Sequence, residues 1–241
     1  MVDLIENFYM NEFRMRVSTV SSSLVRASFL RALGAMGLAL AMIAGSVVGS
    51  HSANAADVVA PDELIKSLSA KVLDQIKNDK EIQAGNMKRL SDFVDTTIMP
   101  NVNFERMTSL SVGRGWRSAT AEQKSKLIAE FRTLLIRTYS GALTEFKEQT
   151  VRVKPLRAGT SDDEVIVRSE VVPKRGEAIQ LDYRMEKSAD GWKIYDVNVA
   201  SLWLVETYRN QFSEIFNAKG VDGLIASLVD KNRKFESSDK K

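Results

Sequence analysis

Few side chains beyond the N-terminal segment could perform acid–base or nucleophilic chemistry. The sequence has no cysteine and a single histidine, His51. Ser–His and Cys–His nucleophile pairs, and zinc sites made of histidine and cysteine, are therefore excluded after that residue. Carboxylates remain, and Asp182, Asp196 and Glu170 lie in strand-like segments where a buried carboxylate could act as a base. This composition argues against an enzyme.

Three arginines could bind a phosphate group. Arg114 and Arg117 lie in a Gly-Arg-Gly-Trp-Arg motif, and Arg209 lies in a later helical segment. A planar guanidinium matches phosphate geometry well, but the alternative is a structural pairing with a nearby carboxylate or helix end. The net charge is +3, from 34 basic and 31 acidic residues. Such a balance gives no concentrated positive field, so we expect no nucleic-acid partner.

The first 55 residues have the organisation of a secretory signal peptide. An apolar run at 32–49 is followed by Ala-Asn-Ala at 53–55 and preceded by Arg14, Arg16, Arg26 and Arg31. This order predicts export, cleavage near residue 56 and a soluble protein in the periplasm. A membrane anchor is the alternative, although glycines dilute the apolar run. Because cysteine is absent, neither a lipid anchor at the cleavage point nor a disulfide is expected.

The first half of the exported chain has helical periodicity. A helix is predicted at 61–78, with proline in its first turn, and Asn86 and Asn103 are typical caps of two further helices. Thr120-Ala121-Glu122-Gln123 fits a capping box before the longest helix, which is predicted to reach about Lys147. The broad apolar stripe of this helix requires a sheet or other helices to cover it.

The second half alternates apolar and polar residues as strands do. Four strands are predicted, at 151–156, 164–172, 178–187 and 192–199. In the third, the apolar face contains Ile179, Leu181, Tyr183 and Met185, and the opposite, water-facing side contains Gln180, Asp182, Arg184 and Glu186. A change of phase between Ile194 and Tyr195 predicts a β-bulge.

The last part of the chain returns to helical spacing. A helix is predicted at 204–218, Gly220 ends it, a short helix follows, and residues 231–241 form a charged, flexible tail. Helices, then an antiparallel meander, then helices again indicate an α+β domain at 56–230. Its curved antiparallel sheet of about four strands would be wrapped by helices.

A curved sheet around a long helix tends to enclose a cone, and large enclosed spaces hold apolar ligands. The candidate lining residues are apolar side chains of the long helix, the inner sheet face and the link to the last long helix. They are Phe131, Leu135, Tyr139, Val167, Leu181, Tyr183, Val197, Val199, Leu202, Leu204 and Tyr208. For each residue the alternative is ordinary core packing. The three tyrosines are favoured because a phenol suits a site with one dry end and one polar end.

Five stretches in a fixed order carry a resemblance to a known family. They are IMPNVNFERMT at 98–108, GRGWR at 113–117 with ATAEQ after it, FRTLLIRTYS at 131–140, DGWKIYDV at 190–197, and LVETYRNQF at 204–212 followed by GVDGLI. Over about residues 93–228 the chain resembles the MlaC family, periplasmic phospholipid-binding proteins of Gram-negative bacteria.

The resemblance implies a cone similar to that of nuclear-transport-factor-like proteins, with an added N-terminal helical part. It also implies acyl chains inside, the headgroup outside, and no cofactor apart from phospholipid as cargo. The implied role is a carrier between an outer-membrane lipoprotein complex and an inner-membrane ABC transporter with its substrate-binding ring. Where the family has a G-x-S-L pattern, this chain has Ser201-Leu202-Trp203-Leu204. We therefore expect Trp203 to reshape the cavity mouth.

Two other functions are compatible with the same fold. One is an enzyme with a buried carboxylate base, but Asp182 falls on the polar side of its strand and Asp196 is out of phase with Val197 and Val199. The other is a ligand-free adaptor, which would have a solidly filled interior.

Overall fold

Helices precede and follow an antiparallel sheet in the computed structural model, which describes residues 59–145, 149–156, 162–174 and 176–238. The predicted signal peptide, residues 1–55, lies outside the described residues. The helices are α1 (Pro61–Asn78), α2 (Lys80–Gln83), α3 (Met87–Phe93), α4 (Phe104–Val112), α5 (Arg114–Ser118), α6 (Ala121–Glu145) and α7 (Leu204–Ser238). The strands are β1 (Thr150–Val153), β2 (Glu164–Val167), β3 (Ser169–Val172), β4 (Ile179–Ser188), β5 (Gly191–Val199) and β6 (Leu202–Trp203).

The helix starts follow the caps that the sequence predicts. The Asn86 side chain accepts a hydrogen bond from the Arg89 N–H at 3.1 Å, and Asn103 accepts one from the Arg106 N–H at 3.0 Å. At the start of α6, Gln123 and Thr120 exchange hydrogen bonds of 2.9 and 3.2 Å, as in a capping box. Each interaction satisfies an N–H that the helix itself leaves free.

The strands form one curved antiparallel sheet with the order β1-β3-β4-β5-β6, and β2 pairs with β4 beside β3. The α+β prediction is therefore confirmed. The second predicted strand is divided at Arg168 into β2 and β3, and the two-residue β6 adds an edge that the sequence does not reveal. The further likeness to the nuclear-transport-factor-like cone stays a prediction.

The sheet has one apolar face and one polar face. Leu181, Tyr183 and Met185 of β4 lie opposite Val199, Val197 and Ile194 of β5. Arg184 lies opposite Asp196, and the register shifts between Arg184 and Met185, so Tyr195 is the extra residue of the predicted β-bulge. We call the apolar side the inner face, since α1 covers it at β1 and β2.

A tight turn links the sheet to α7. Ala200 and Ser201 both have positive φ, 50° and 71°, and this backbone twist suits a two-residue hairpin loop. The register places Leu202 opposite Val199 and Trp203 opposite Asn198, so Trp203 lies on the outer face. There the Arg184 guanidinium stacks 4.0 Å from the centre of the Trp203 ring. The expectation that Trp203 reshapes a cavity mouth is corrected, because pairing in β6 turns its side chain away from the inner face.

Helix α7 changes direction at Gly220, whose φ of 66° is not helical, as the sequence predicts. The tail predicted as flexible is helical as far as Ser238. The Asn232 amide, which is 5% exposed, donates to the Glu130 carbonyl at 3.0 Å, and Phe235 packs on the core. These contacts hold the charged segment against α6. No helix in the described ranges has the length and apolar composition needed to cross a bilayer.

The Gly-Arg-Gly-Trp-Arg motif allows α5 to approach α7 closely. A Cβ atom at Gly115 would lie 2.8 Å from the Phe216 ring, whereas one at Gly141, near the C-terminal end of α6, would have no neighbour within 4 Å. We expect Gly115→Ala to lower the free energy of unfolding by about 1–3 kcal/mol, because it overpacks the contact. Gly141→Ala, the matched control, should raise it by about 0.5–1 kcal/mol through helix propensity. Urea denaturation measures both, and equal effects would contradict this packing.

Candidate functional site

The buried core is divided into three clusters instead of forming one mass. The largest joins α4, α6 and α7 around Phe131 and Phe212, the second joins α1–α3 to α6 around Phe93, and the third joins α1 to the inner face of the sheet around Val167 and Met185. We call them the aromatic, helical and sheet clusters. Val102 and Val197 are only partly buried and touch both the aromatic and the sheet clusters.

Several apolar side chains that pack against the aromatic or the sheet cluster keep accessible surface. Leu135 and Tyr139 of α6, with Val197 and Val199 of β5, pack against the aromatic cluster, and Tyr183 of β4 packs against the sheet cluster. All five are partly accessible in spite of these contacts. We call this set the interior seam. It is a surface of the kind that an apolar ligand covers.

The structure divides the sequence-predicted lining residues into two groups. Phe131, Val167, Leu204 and Tyr208 are buried at 0–7% exposure and are part of the solid clusters. The five seam residues and Leu181 are partly accessible, and Leu202 is 38% exposed at the edge of the sheet. The assignment of these residues to lipid stays a prediction.

Tyr183 is the polar group of the seam. Its phenol is hydrogen-bonded to Ser69 of α1 and Ser169 of β3, and the Ser169 hydroxyl in turn donates to the Leu181 carbonyl. Burial raises the pKa of this phenol to about 12. The same side chain keeps some accessible surface. This hydrogen-bond chain ties α1 to the sheet.

The raised pKa of Tyr183 predicts a stability effect at alkaline pH. Its folded-state pKa lies above the ordinary tyrosine value of 10.0, so its contribution is complete below pH 10.0 and is lost as the pH rises towards 12. Between about pH 9 and about pH 11.5 the stability advantage of the native protein over Tyr183→Phe should shrink by about 2 kcal/mol. Urea denaturation at the two pH values measures it. An advantage that does not change would contradict the buried phenol.

Helix α1 contributes further lining candidates, which the sequence alone does not identify. Leu64 and Leu68 are partly buried against the sheet cluster, and Ser69 bonds to Tyr183. Leu64 and Leu68 fall on the apolar stripe of α1, a signal that the sequence does contain. What the sequence does not contain is the side of the sheet to which α1 packs.

The three arginines lie at the turn between α4 and α5. The Arg209 guanidinium lies against Gly113, the Arg114 side chain donates to the Asn217 amide oxygen at 3.3 Å, and Arg117 is exposed. In the described part of the chain none of the three has a carboxylate within ion-pair distance. Their assignment to the headgroup stays a prediction.

The three candidate carboxylates all lie on the outer face of the sheet. Asp182 is not water-facing as predicted but 3% exposed, since it accepts hydrogen bonds from the Ser169 N–H and the Gln180 amide. Glu170 is paired with Arg152 at 2.9 Å.

Asp196 is fully buried, and burial raises the pKa of its carboxyl. Its oxygens accept hydrogen bonds from Arg184 at 2.8 Å and from the N–H groups of Val197 and Val205 at 2.9 and 3.0 Å. A carboxylate with all these partners, at the start of α7 and away from the seam, serves the structure rather than a reaction.

Comparisons with known proteins identify relatives of this chain. A family model described as MlaC protein matches residues 66–230. The intermembrane phospholipid transport system binding protein MlaC of Haemophilus influenzae is 27% identical over 176 residues, 68% of this chain and 82% of the relative. The toluene tolerance protein ttg2D of Pseudomonas putida is 24% identical over 163 residues, 67% of this chain and 75% of the relative.

A solved structure shows the same fold. The phospholipid-binding protein from Ralstonia solanacearum, in complex with a phospholipid, is 43% identical with a TM-score of 0.70, and the match covers 73% of this chain and 98% of that one. The residues that the family model matches, 66–230, include the whole sheet and the five sequence stretches of the predicted resemblance. The family model spans well over half of the residues of this chain, and the chain therefore belongs to the MlaC family.

Proposed function

We propose that this protein is a periplasmic phospholipid carrier that holds acyl chains along the interior seam. The observation that carries the proposal is the partial accessibility of Leu135, Tyr139, Tyr183, Val197 and Val199, which pack against two solidly packed clusters. The phospholipid in the structure of the Ralstonia solanacearum relative, and the names of the other relatives, which describe phospholipid transport and toluene tolerance and no catalysed reaction, support it.

The chemistry of the seam suits acyl chains. Tails require a dry surface and few polar groups, which the seam supplies, with the Tyr183 phenol already satisfied by Ser69 and Ser169. Burial of about 30 methylenes at about 0.8 kcal/mol each would give about 24 kcal/mol relative to water, more than measured complexes retain. A bilayer offers the acyl chains an equally apolar, water-free environment. The net preference of the carrier over a membrane is therefore small, as loading and unloading both require.

The carrier would be exported by the signal peptide at 1–55 and would act between membranes. Its proposed partners are an outer-membrane lipoprotein complex and an inner-membrane ABC transporter with its substrate-binding ring. The family membership supports both. Arg114, Arg117 and Arg209 are the proposed contacts of an anionic headgroup or membrane surface, because their guanidinium groups have no carboxylate partner in the described part of the chain.

Co-purification tests the carrier proposal. The protein is expressed with its signal peptide, isolated from the bacterial periplasm and analysed by native mass spectrometry, which reports bound lipid by mass. We expect phospholipid in a defined ratio to protein, and uptake from vesicles after delipidation. Protein that is isolated empty and takes up no lipid from vesicles would refute the carrier.

A further inference from the structure

We propose that the four aromatic rings of the aromatic cluster close the inner end of the acyl-chain site and set the longest chain it accepts, with Phe131 as the determining residue. The rings belong to Phe104, Phe131, Tyr208 and Phe212. The inference rests on the proposed carrier function and adds a specificity determinant to it.

Accessibility along α6 locates the end of the site. Leu127 and Phe131 are fully buried and Leu134 is 3% exposed, whereas Leu135 and Tyr139 keep accessible surface. Phe131 and Leu135 are four residues apart and therefore lie on the same side of the helix, about 6 Å apart along its axis. Along this stripe the change from fully buried to partly accessible side chains occurs between these two residues.

The rings form a rigid stop. The Phe131 ring centre lies 4.9 Å from that of Tyr208, 5.2 Å from that of Phe212 and 5.7 Å from that of Phe104. Two of these pairs are edge-to-face, an arrangement that adds stabilisation to the buried area. Because the rings come from α4, α6 and α7, Phe131 cannot move aside without disturbing three helices.

The sheet also contacts the aromatic cluster. Val197 and Val199 of β5 pack against the aromatic cluster and keep accessible surface. An acyl chain between β5 and α6 would therefore end against Phe131 and its partners. A lipid whose acyl chain is two methylenes longer than the site can hold would lose on the order of tenfold in relative affinity.

Variants at the two sides of the boundary test this stop. Phe131→Leu removes ring volume on the buried side of the boundary, and Leu135→Phe adds volume on its accessible side. Phe93→Leu is the matched control, because Phe93 is 1% exposed in the helical cluster and is not a seam residue. Delipidated proteins are mixed with vesicles containing equal amounts of phosphatidylethanolamines whose chains differ in two-carbon steps, and native mass spectrometry identifies the lipids retained.

The native protein should show a cut-off in chain length. In Phe131→Leu, relative retention of the shortest chain that the native protein excludes should rise about tenfold. In Leu135→Phe, relative retention of the longest chain that the native protein accepts should fall about tenfold. Phe93→Leu should match the native protein. If Phe131→Leu does not fold, Leu135→Phe still decides. Uptake by the native protein with a cut-off that neither variant moves would overturn the stop alone, and no uptake of any lipid would overturn the carrier function with it.

Discussion

Replacing Leu135 with glutamate is expected to abolish phospholipid binding while the protein stays folded. Leu135 lies in the interior seam and keeps accessible surface, so an empty protein can hydrate the new carboxylate. Acyl chains that cover the seam would desolvate it, at a cost of at least about 3 kcal/mol, or a loss on the order of 100-fold in occupancy. Native mass spectrometry measures the bound lipid, and circular dichroism checks the fold.

The matched control is Ala129→Glu, which places the same charge on an exposed position of α6. It should retain lipid as the native protein does. If Leu135→Glu unfolds the protein, Leu135 is solid core and the seam is wrongly assigned. If it folds and carries a normal amount of lipid, the acyl chains bind elsewhere.

Replacing Asp196 with asparagine should destabilise the protein by about 2 kcal/mol. The carboxylate is fully buried and joins Arg184 of β4 to the Val205 N–H at the start of α7. Asparagine can accept from the two backbone N–H groups, but its NH2 group then faces the Arg184 guanidinium and the charged hydrogen bond is lost. We expect this loss to outweigh the desolvation cost that raises the pKa of the carboxyl and that the neutral side chain removes. Urea denaturation at neutral pH measures the change.

Asp182→Asn is the matched control, since Asp182 is also buried on the outer face of the sheet. Its partners are the Ser169 N–H and the Gln180 amide, both neutral, and the Gln180 amide can turn to suit an asparagine. We expect a loss below about 1 kcal/mol. Equal losses at the two positions would show that the ion pair with Arg184 contributes nothing.

Local signals predicted much of the fold because they act within a few residues. The caps at Asn86, Asn103 and Thr120 depend on side chains that reach backbone groups three residues away, and all three form. The bulge at Tyr195 follows from a change of phase between neighbouring residues. The MlaC resemblance, carried by five stretches in order, is confirmed by the family model.

Contacts between distant segments could not be predicted in this way. Trp203 was expected near a cavity mouth, but pairing in β6 places it against Arg184, 19 positions earlier, on the outer face. The C-terminal charges suggested a flexible tail, yet the Asn232 amide reaches the carbonyl of Glu130. Periodicity gave Phe131, Leu135 and Tyr139 one common stripe. Which turn of the helix has fully buried side chains depends on aromatic rings that other helices contribute.

Photochemical labelling shows where on the protein the acyl chains bind. The delipidated protein is loaded with a phospholipid that carries a diazirine on one acyl chain, irradiated, digested and analysed by mass spectrometry. The proposed site predicts adducts on the α6 segment that contains Leu135 and Tyr139 and on the β5 segment that contains Val197 and Val199. Adducts confined to the outer face of the sheet, or to the surface around Arg114 and Arg209, would contradict acyl chains in the interior seam.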